Sequence, residues 1–216
     1  MKWIGWLLLV GLTPVAHATP LKLAAAVEHT AILRPFIHDW FGRAGIDFQL
    51  IPCTYARCEK LIEADHAVDG DMARIKGFDQ TYPHLLQIGA PISEAAIYGQ
   101  PRDNPSWPPA EGTVIGCLRG IQWCERFLGN YQVIWLNDEK QGLAQLHRGK
   151  VDWLIKMRPA SQPALAPPWQ KITKEQVFLY LDKKHRTEIA ALLKVQLAFI
   201  NNGRWLAMQQ QYLSAI

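Results

Sequence analysis

Apolar and polar positions along this chain alternate between two periods, one of strands and one of helices. Leu21 to Ala26 is a short apolar run that predicts a buried strand. Arg34 to Ala44 has helical spacing, with Phe36, Ile37, Trp40, Phe41 and Ala44 on one side, Pro35 near the first position and Gly45 as the stop. Asp47 to Ile51 predicts the next strand, Tyr55 to Ala64 a helix with Leu61 and Ile62 inward, and Val68 to Arg74 a third strand. The order is β-α-β-α-β, which builds a parallel sheet.

The same order returns further along the chain. Thr113 to Leu118 predicts a strand, Ile121 to Leu128 a helix, Gln132 to Leu136 a strand, Glu139 to Arg148 a helix and Val151 to Met157 a strand. Val68-Asp69 and Val151-Asp152 occupy equivalent places after the second helix of each unit. Between the units lies a Pro-rich passage, Pro91 to Pro109, holding one strand-like piece, Ala95 to Gln100; a second such segment, Pro159 to Pro168, follows the second unit. Val177 to Lys183 predicts a returning strand able to pair antiparallel with Ala95 to Gln100, and helices over Thr187 to Asn201 and Arg204 to Leu213 end the chain. The expectation is an α/β fold of two βαβαβ lobes joined by a two-crossing hinge, with residues 19–92 plus 184–216 as lobe 1 and 93–183 as lobe 2.

Composition narrows the function. A chain of 216 residues with 49% hydrophobic and 19% charged side chains can bury a large core, which excludes a disordered tail. Met1-Lys2, the apolar stretch Trp3 to Leu12 and the Ala16-His17-Ala18 exit have the pattern of a cleaved signal peptide over residues 1–18. The expectation is a periplasmic protein, secreted through that signal. Its net charge of +4 comes without a clustered Lys/Arg run, so nucleic acid is not an expected partner, and a monomer is expected. In an oxidising compartment the close pairs Cys53/Cys58 and Cys117/Cys124 read as two disulfides in preference to a four-thiolate zinc site, whose ligand spacing is tighter. No metal and no cofactor is expected.

A parallel βαβ unit gathers ligand groups just past the C-terminal ends of its strands, where helix N-termini also point free N–H groups. That rule selects His29, Tyr55, Asp71 and Arg74 in the first unit and Arg119, Trp123 and Asn137 in the second as candidate ligand-binding residues. Arg74 and Arg119 are suited to hold a carboxylate by paired hydrogen bonds. Trp123 and Tyr55 are suited to stack on a solute, and Asp71 to accept from a solute amine or to pair with Arg74. His29 reads as a hydrogen-bonding group more than as a base. Motifs of the common hydrolases, zinc proteases, dinucleotide sites and phosphate loops do not occur, so no catalytic residue is assigned.

Four segments carry a resemblance. Ala67-Val68-Asp69-Gly70-Asp71, Ile115-Gly116-Cys117-Leu118-Arg119-Gly120, Leu146-His147-Arg148-Gly149-Lys150-Val151-Asp152 and the ending Leu192 to Tyr212, with Asn202-Gly203, are similar in kind and order to motifs of the periplasmic type II solute-binding proteins, in particular the bacterial extracellular solute-binding family 3. The resemblance implies a type II periplasmic binding protein fold that closes on a small polar or anionic solute. It also implies a partner that is an ABC-type membrane permease or a sensor protein. The scaffold also admits a dehydratase-like periplasmic enzyme or a non-transporting accessory module with an occluded cleft. Two departures stand out. The family's Ser/Thr-rich stretch after the third strand is shortened to Asp71-Met72-Ala73-Arg74, where only the Arg matches, and its Asp at the end of the last strand of lobe 2 is replaced by Met157, between Lys156 and Arg158. Both point away from an ordinary α-amino acid.

Overall fold

The computed structural model of the protein describes residues 19–64, 67–103 and 105–213; the signal-peptide reading of residues 1–18 lies outside them. The first unit is β1 (Leu21–Ala26), α1 (Val27–Ala44), β2 (Phe48–Cys53), α2 (Tyr55–Glu63) and β3 (Gly70–Ile75), followed by one helical turn, α3 (Phe78–Thr81). A long strand, β4 (Leu85–Pro101), leads to the second unit: β5 (Val114–Leu118), α4 (Gln122–Phe127), β6 (Gln132–Leu136), α5 (Glu139–His147) and β7 (Trp153–Pro159). The chain returns through β8 (Gln170–Asp182) and ends in α6 (Arg186–Asn201) and α7 (Arg204–Leu213).

The duplicated units are present. Each is a parallel triplet with its first strand in the middle: β1 pairs with β2 and β3, and β5 with β6 and β7. The two aspartates noted in the sequence do the same work in each. Asp69 accepts the Lys22 N–H while its own N–H donates to the Lys22 carbonyl; Asp152 stands in the same relation to Val114. Each carboxylate thereby fixes the start of the first strand of its unit to the approach of the third.

Strands β4 and β8 join the triplets into one eight-stranded sheet of order β2-β1-β3-β8-β4-β7-β5-β6. They pair antiparallel with one another over nearly their whole length, β8 also lying against β3 and β4 against β7. The predicted antiparallel pair is therefore correct in kind but longer and shifted: Ala95 to Gly99 faces Gln170 to Glu175, and Leu179 to Asp182 faces Leu85 to Ile88. Pro91, read from the sequence as a break, sits within β4 where the register shifts between Ile88 and Ser93, a bulge that accommodates a residue without an N–H.

α1 starts at Val27, seven residues before the predicted start at Arg34, so that Pro35 lies inside the helix. The missing N–H is offset by a buried stripe of His29, Ile32, Leu33, Phe36, Ile37, Trp40 and Phe41, and Gly45 ends the helix at φ 70° as expected. α6 and α7 close over this stripe: the Trp40 indole donates to the Leu192 carbonyl at 3.0 Å, and the Trp205 and Gln209 side chains donate to the Pro91 carbonyl at the β4 bulge. A second core spans both units, with Phe78, Ile97, Ile115, Trp123, Trp153 and Tyr180 among its members. Both disulfides form as predicted, Cys53–Cys58 and Cys117–Cys124, each tying the end of a strand to the helix that follows.

Candidate functional site

The two units face each other at the C-terminal ends of their parallel strands. A register shift decides what lies there. Three steps along β3, from Asp71 to Arg74, oppose only two along β8, from Tyr180 to Phe178. The extra residue turns two side chains that would alternate in a regular strand onto one side. The Arg74 Nε donates to Asp71 Oδ2 at 2.8 Å, and the Ala73 N–H donates to Asp71 Oδ1 at 3.0 Å.

Both side chains are buried, with 4% and 2% of their surface exposed. Burial pushes the Asp71 carboxyl up, against the pull of Arg74 and of its hydrogen bonds, and both its oxygens accept N–H donors as the ionised form does. Burial works against the Arg74 charge, but Asp71 outweighs it and holds the guanidinium protonated. The rest of the guanidinium is taken up by backbone from both units. Nη1 donates to the Gly120 carbonyl at 3.2 Å and Nη2 to the Tyr55 carbonyl at 3.4 Å. Glu59 lies 3.7 Å from Nη1, and the group stacks over Phe78 at 4.7 Å.

Next to it the Tyr55 hydroxyl and His29 Nε2 share a hydrogen bond at 2.8 Å. Burial, reinforced by the nearby Arg74 charge, lowers the His29 pKa from 6.5 to about 4, so the ring is neutral near pH 7. Burial likewise raises the Tyr55 hydroxyl far above its ordinary value. From the second unit Gln122 and Trp123, at the start of α4, enter the same space. His29, Tyr55, Arg74, Gly120, Gln122, Trp123 and Met157 line an inner pocket of about 10 Å³. Gln122 is 4% exposed, and neither its amide oxygen nor its amide nitrogen has a hydrogen-bond partner.

Tyr55 and Met157 also line a second, outer cavity of about 340 Å³, with Glu28, Thr54 and Ala56 from the first unit and Leu118, Arg119, Asn137, Asp138, Glu139 and Lys156 from the second. Lys156 pairs with Glu139 at 2.6 Å, and Asp138 caps α5 by accepting the Gln141 N–H at 2.7 Å. Recesses of about 390 and 610 Å³ exist elsewhere, beside Pro91 and Gln176 and beside His38 and Arg204, but neither lies at the strand ends of both units. Among the described residues no group of His, Cys, Asp and Glu is arranged to hold a metal, and no helix is long and apolar enough to cross a membrane.

No family model and no curated protein matches the chain. Solved structures do. The chain is similar to an arginine 3rd transport system periplasmic binding protein from Legionella pneumophila, at 15% identity and a TM-score of 0.69, covering 90% of this chain and 100% of that one. It is similar also to the GluR0 ligand-binding core from Nostoc punctiforme in complex with L-glutamate, at 14% identity and 0.67 over 90% and 100%. A third is an amino acid ABC transporter substrate-binding protein from Streptococcus pneumoniae bound to L-arginine, at 12% and 0.63 over 90% and 95%. The fold is that of the type II periplasmic binding proteins.

Within this type II fold the seven residues predicted from the sequence fall into two groups. His29, Tyr55, Arg74 and Trp123 line the inner pocket, with Asp71 behind Arg74; Arg119 and Asn137 are exposed and line the outer cavity, with Tyr55 between the two. One residue was missed. Glu59 faces inward from the middle of α2, where its position signals an ordinary solvated glutamate, yet burial raises its pKa to about 7 despite Arg74. Gln122, at the start of α4, lies where the strand-end rule points, but was not counted among the seven because a lone glutamine carries no motif.

His29 and Glu59 predict an acid profile. The folded His29 releases its proton before the unfolded one does, so stability rises with pH from about 4 to 6.5 and is lost as pH falls through that window; a lowering of this size corresponds to roughly 3 kcal/mol. Glu59 acts oppositely, because the folded form keeps a proton that the unfolded form has lost between 4.5 and about 7. Urea midpoints of the parent protein should therefore change little between pH 4.5 and 6.5. Glu59→Gln should expose a clear rise, and a flat profile in that variant would contradict the placement of His29.

Proposed function

We propose that this chain is a periplasmic solute-binding protein of the extracellular solute-binding family 3 kind, exported through residues 1–18 and closing on a small polar or anionic solute for an ABC-type permease or a sensor. One observation carries the reading. At the strand ends two adjoining pockets are walled by both units, and a side chain of one, Arg74, donates to a backbone carbonyl of the other, at Gly120. A solute there touches both halves at once, and so favours the closed arrangement over the open one. The lobes are residues 19–92 plus 184–216 and residues 93–183, swinging about β4 and β8; the register shift between Ile88 and Ser93, close to the boundary at 92/93, supports that division. Arg119 and Lys156 oppose Glu28, Asp138 and Glu139 around the outer cavity, a mixed set suited to a small polar solute that carries charge of either sign.

Binding is favoured over catalysis because the neutral His29 and the paired Asp71 are both engaged within the chain, and because the three similar structures are all binding proteins or domains. Thermal-shift screening of the purified protein against pools of amino acids, amides, organic acids and polyamines tests it. The expected result is a melting temperature that climbs with the concentration of at least one solute, by about 2.7 kcal/mol of stabilisation at a hundredfold excess over Kd. Silence across all pools contradicts the reading.

A further inference from the structure

The inner pocket holds one hydrogen-bonding group that the chain itself leaves unused and no free charge. Gln122 is that group: its amide is buried in the closed cleft with neither its donor nor its acceptor satisfied. Buried polar groups almost always have partners, and one that does not calls for a reason. The charges around it are already matched. Arg74 is held by Asp71 with Glu59 alongside, and His29 and Tyr55 are engaged with each other in their neutral forms.

A carboxylate brought to this end of the cleft would meet a guanidinium already paired to Asp71, and would lie close to Asp71 and Glu59. It would also offer Gln122 acceptors only, leaving the amide oxygen unpaired. A primary carboxamide offers a donor and an acceptor side by side, which is the complement of a glutamine amide. Building on the solute-binding reading, we infer that the solute places an uncharged carboxamide-type group against Gln122, with its remaining, charged portion in the outer cavity among Glu28, Arg119 and Asn137. Tyr55 and Met157 line both spaces, which therefore adjoin, so that one small solute can face both. The inner pocket, at about 10 Å³, is too small for more of the solute than its terminal group.

Matched pairs of solutes differing only in amide against acid test this: L-glutamine and L-glutamate, succinamate and succinate, nicotinamide and nicotinate, each titrated by calorimetry against the full protein and Gln122→Met. The expected result is that at least one amide binds, tenfold or more tighter than its acid. Gln122→Met should lose that affinity about tenfold while melting no lower than the parent, since it removes an unsatisfied buried amide. An acid that binds as tightly as its amide overturns the inference, as does an amide whose affinity is unchanged in Gln122→Met. Failure of every amide while other pooled solutes stabilise the protein also overturns it and leaves the solute-binding reading standing; failure of every solute removes both.

Discussion

Arg74→Ala is expected to destabilise the protein by about 3–5 kcal/mol, the cost of leaving a buried carboxylate without its counter-charge. Asp71 is 98% buried by its side chain and reaches no other cation within hydrogen-bonding distance among the described residues. The same substitution removes the Nη1 and Nη2 contacts to the Gly120 and Tyr55 carbonyls, so the closed arrangement loses a tie between the halves as well. A fall in melting temperature on the order of 10 °C corresponds to that range for a chain of this length. A double variant separates charge from shape: Asp71→Leu with Arg74→Met removes both charges and should recover most of the loss, because an apolar pair of similar volume does not pay the desolvation of an ion pair. A single variant that unfolds at the parent's urea midpoint, or a double variant no better than the single, would show that the pair is not the buried ion pair described.

That pair also marks how far a sequence can be read here. The doubled β-α-β-α-β order was legible because short apolar runs and helical stripes alternate twice, and because Asp69 and Asp152 recur at matching places; in the structure both do the same hydrogen-bonding task. The disulfides were legible from spacing and compartment. The long strands were not. β8 begins with Gln170-Lys171-Ile172-Thr173-Lys174-Glu175-Gln176, a stretch polar at all but Ile172 that pairs by backbone with β4 and so carries no clear apolar pattern to define it. α1 was read short because Pro35 usually opens a helix, whereas here seven buried side chains hold the helix on both sides of it. In the site, the seven residues chosen at strand ends lie around two adjoining pockets, with Asp71 behind Arg74. A register shift of a single residue between Asp71 and Arg74, which no local pattern encodes, determines that the arginine is paired within its own strand. Gln122 lies just past the end of β5, but what distinguishes it is the lack of a partner, a property of three-dimensional packing.

Gly120→Ala should keep the halves apart. Gly120 has φ 81°, and a Cβ there would sit 2.5 Å from the Tyr55 carbonyl carbon and 2.6 Å from the Ala56 nitrogen, across the cleft in the other unit. Both are backbone atoms at the start of α2, held by the Thr54 cap and the Cys53–Cys58 bridge, and cannot turn aside as a side-chain tip could. Each unit keeps its own strands and disulfide, and within the second unit the cost is that of the left-handed conformation, about 1–2 kcal/mol for a residue with a Cβ. The closed arrangement is penalised much more, and a solute that needs contacts from both halves must overcome that penalty on binding. Affinity for whichever solute the thermal screen identifies should fall about 100-fold or more, which equals a closed state disfavoured by roughly 3 kcal/mol. Small-angle scattering of the variant should give a radius of gyration that stays large when that solute is added, and Trp123, buried at the interface between the halves, should show the emission of a solvent-exposed indole. A variant that scatters and binds like the parent would mean that the halves do not meet at Gly120, and the hinge-closing account would fail with it.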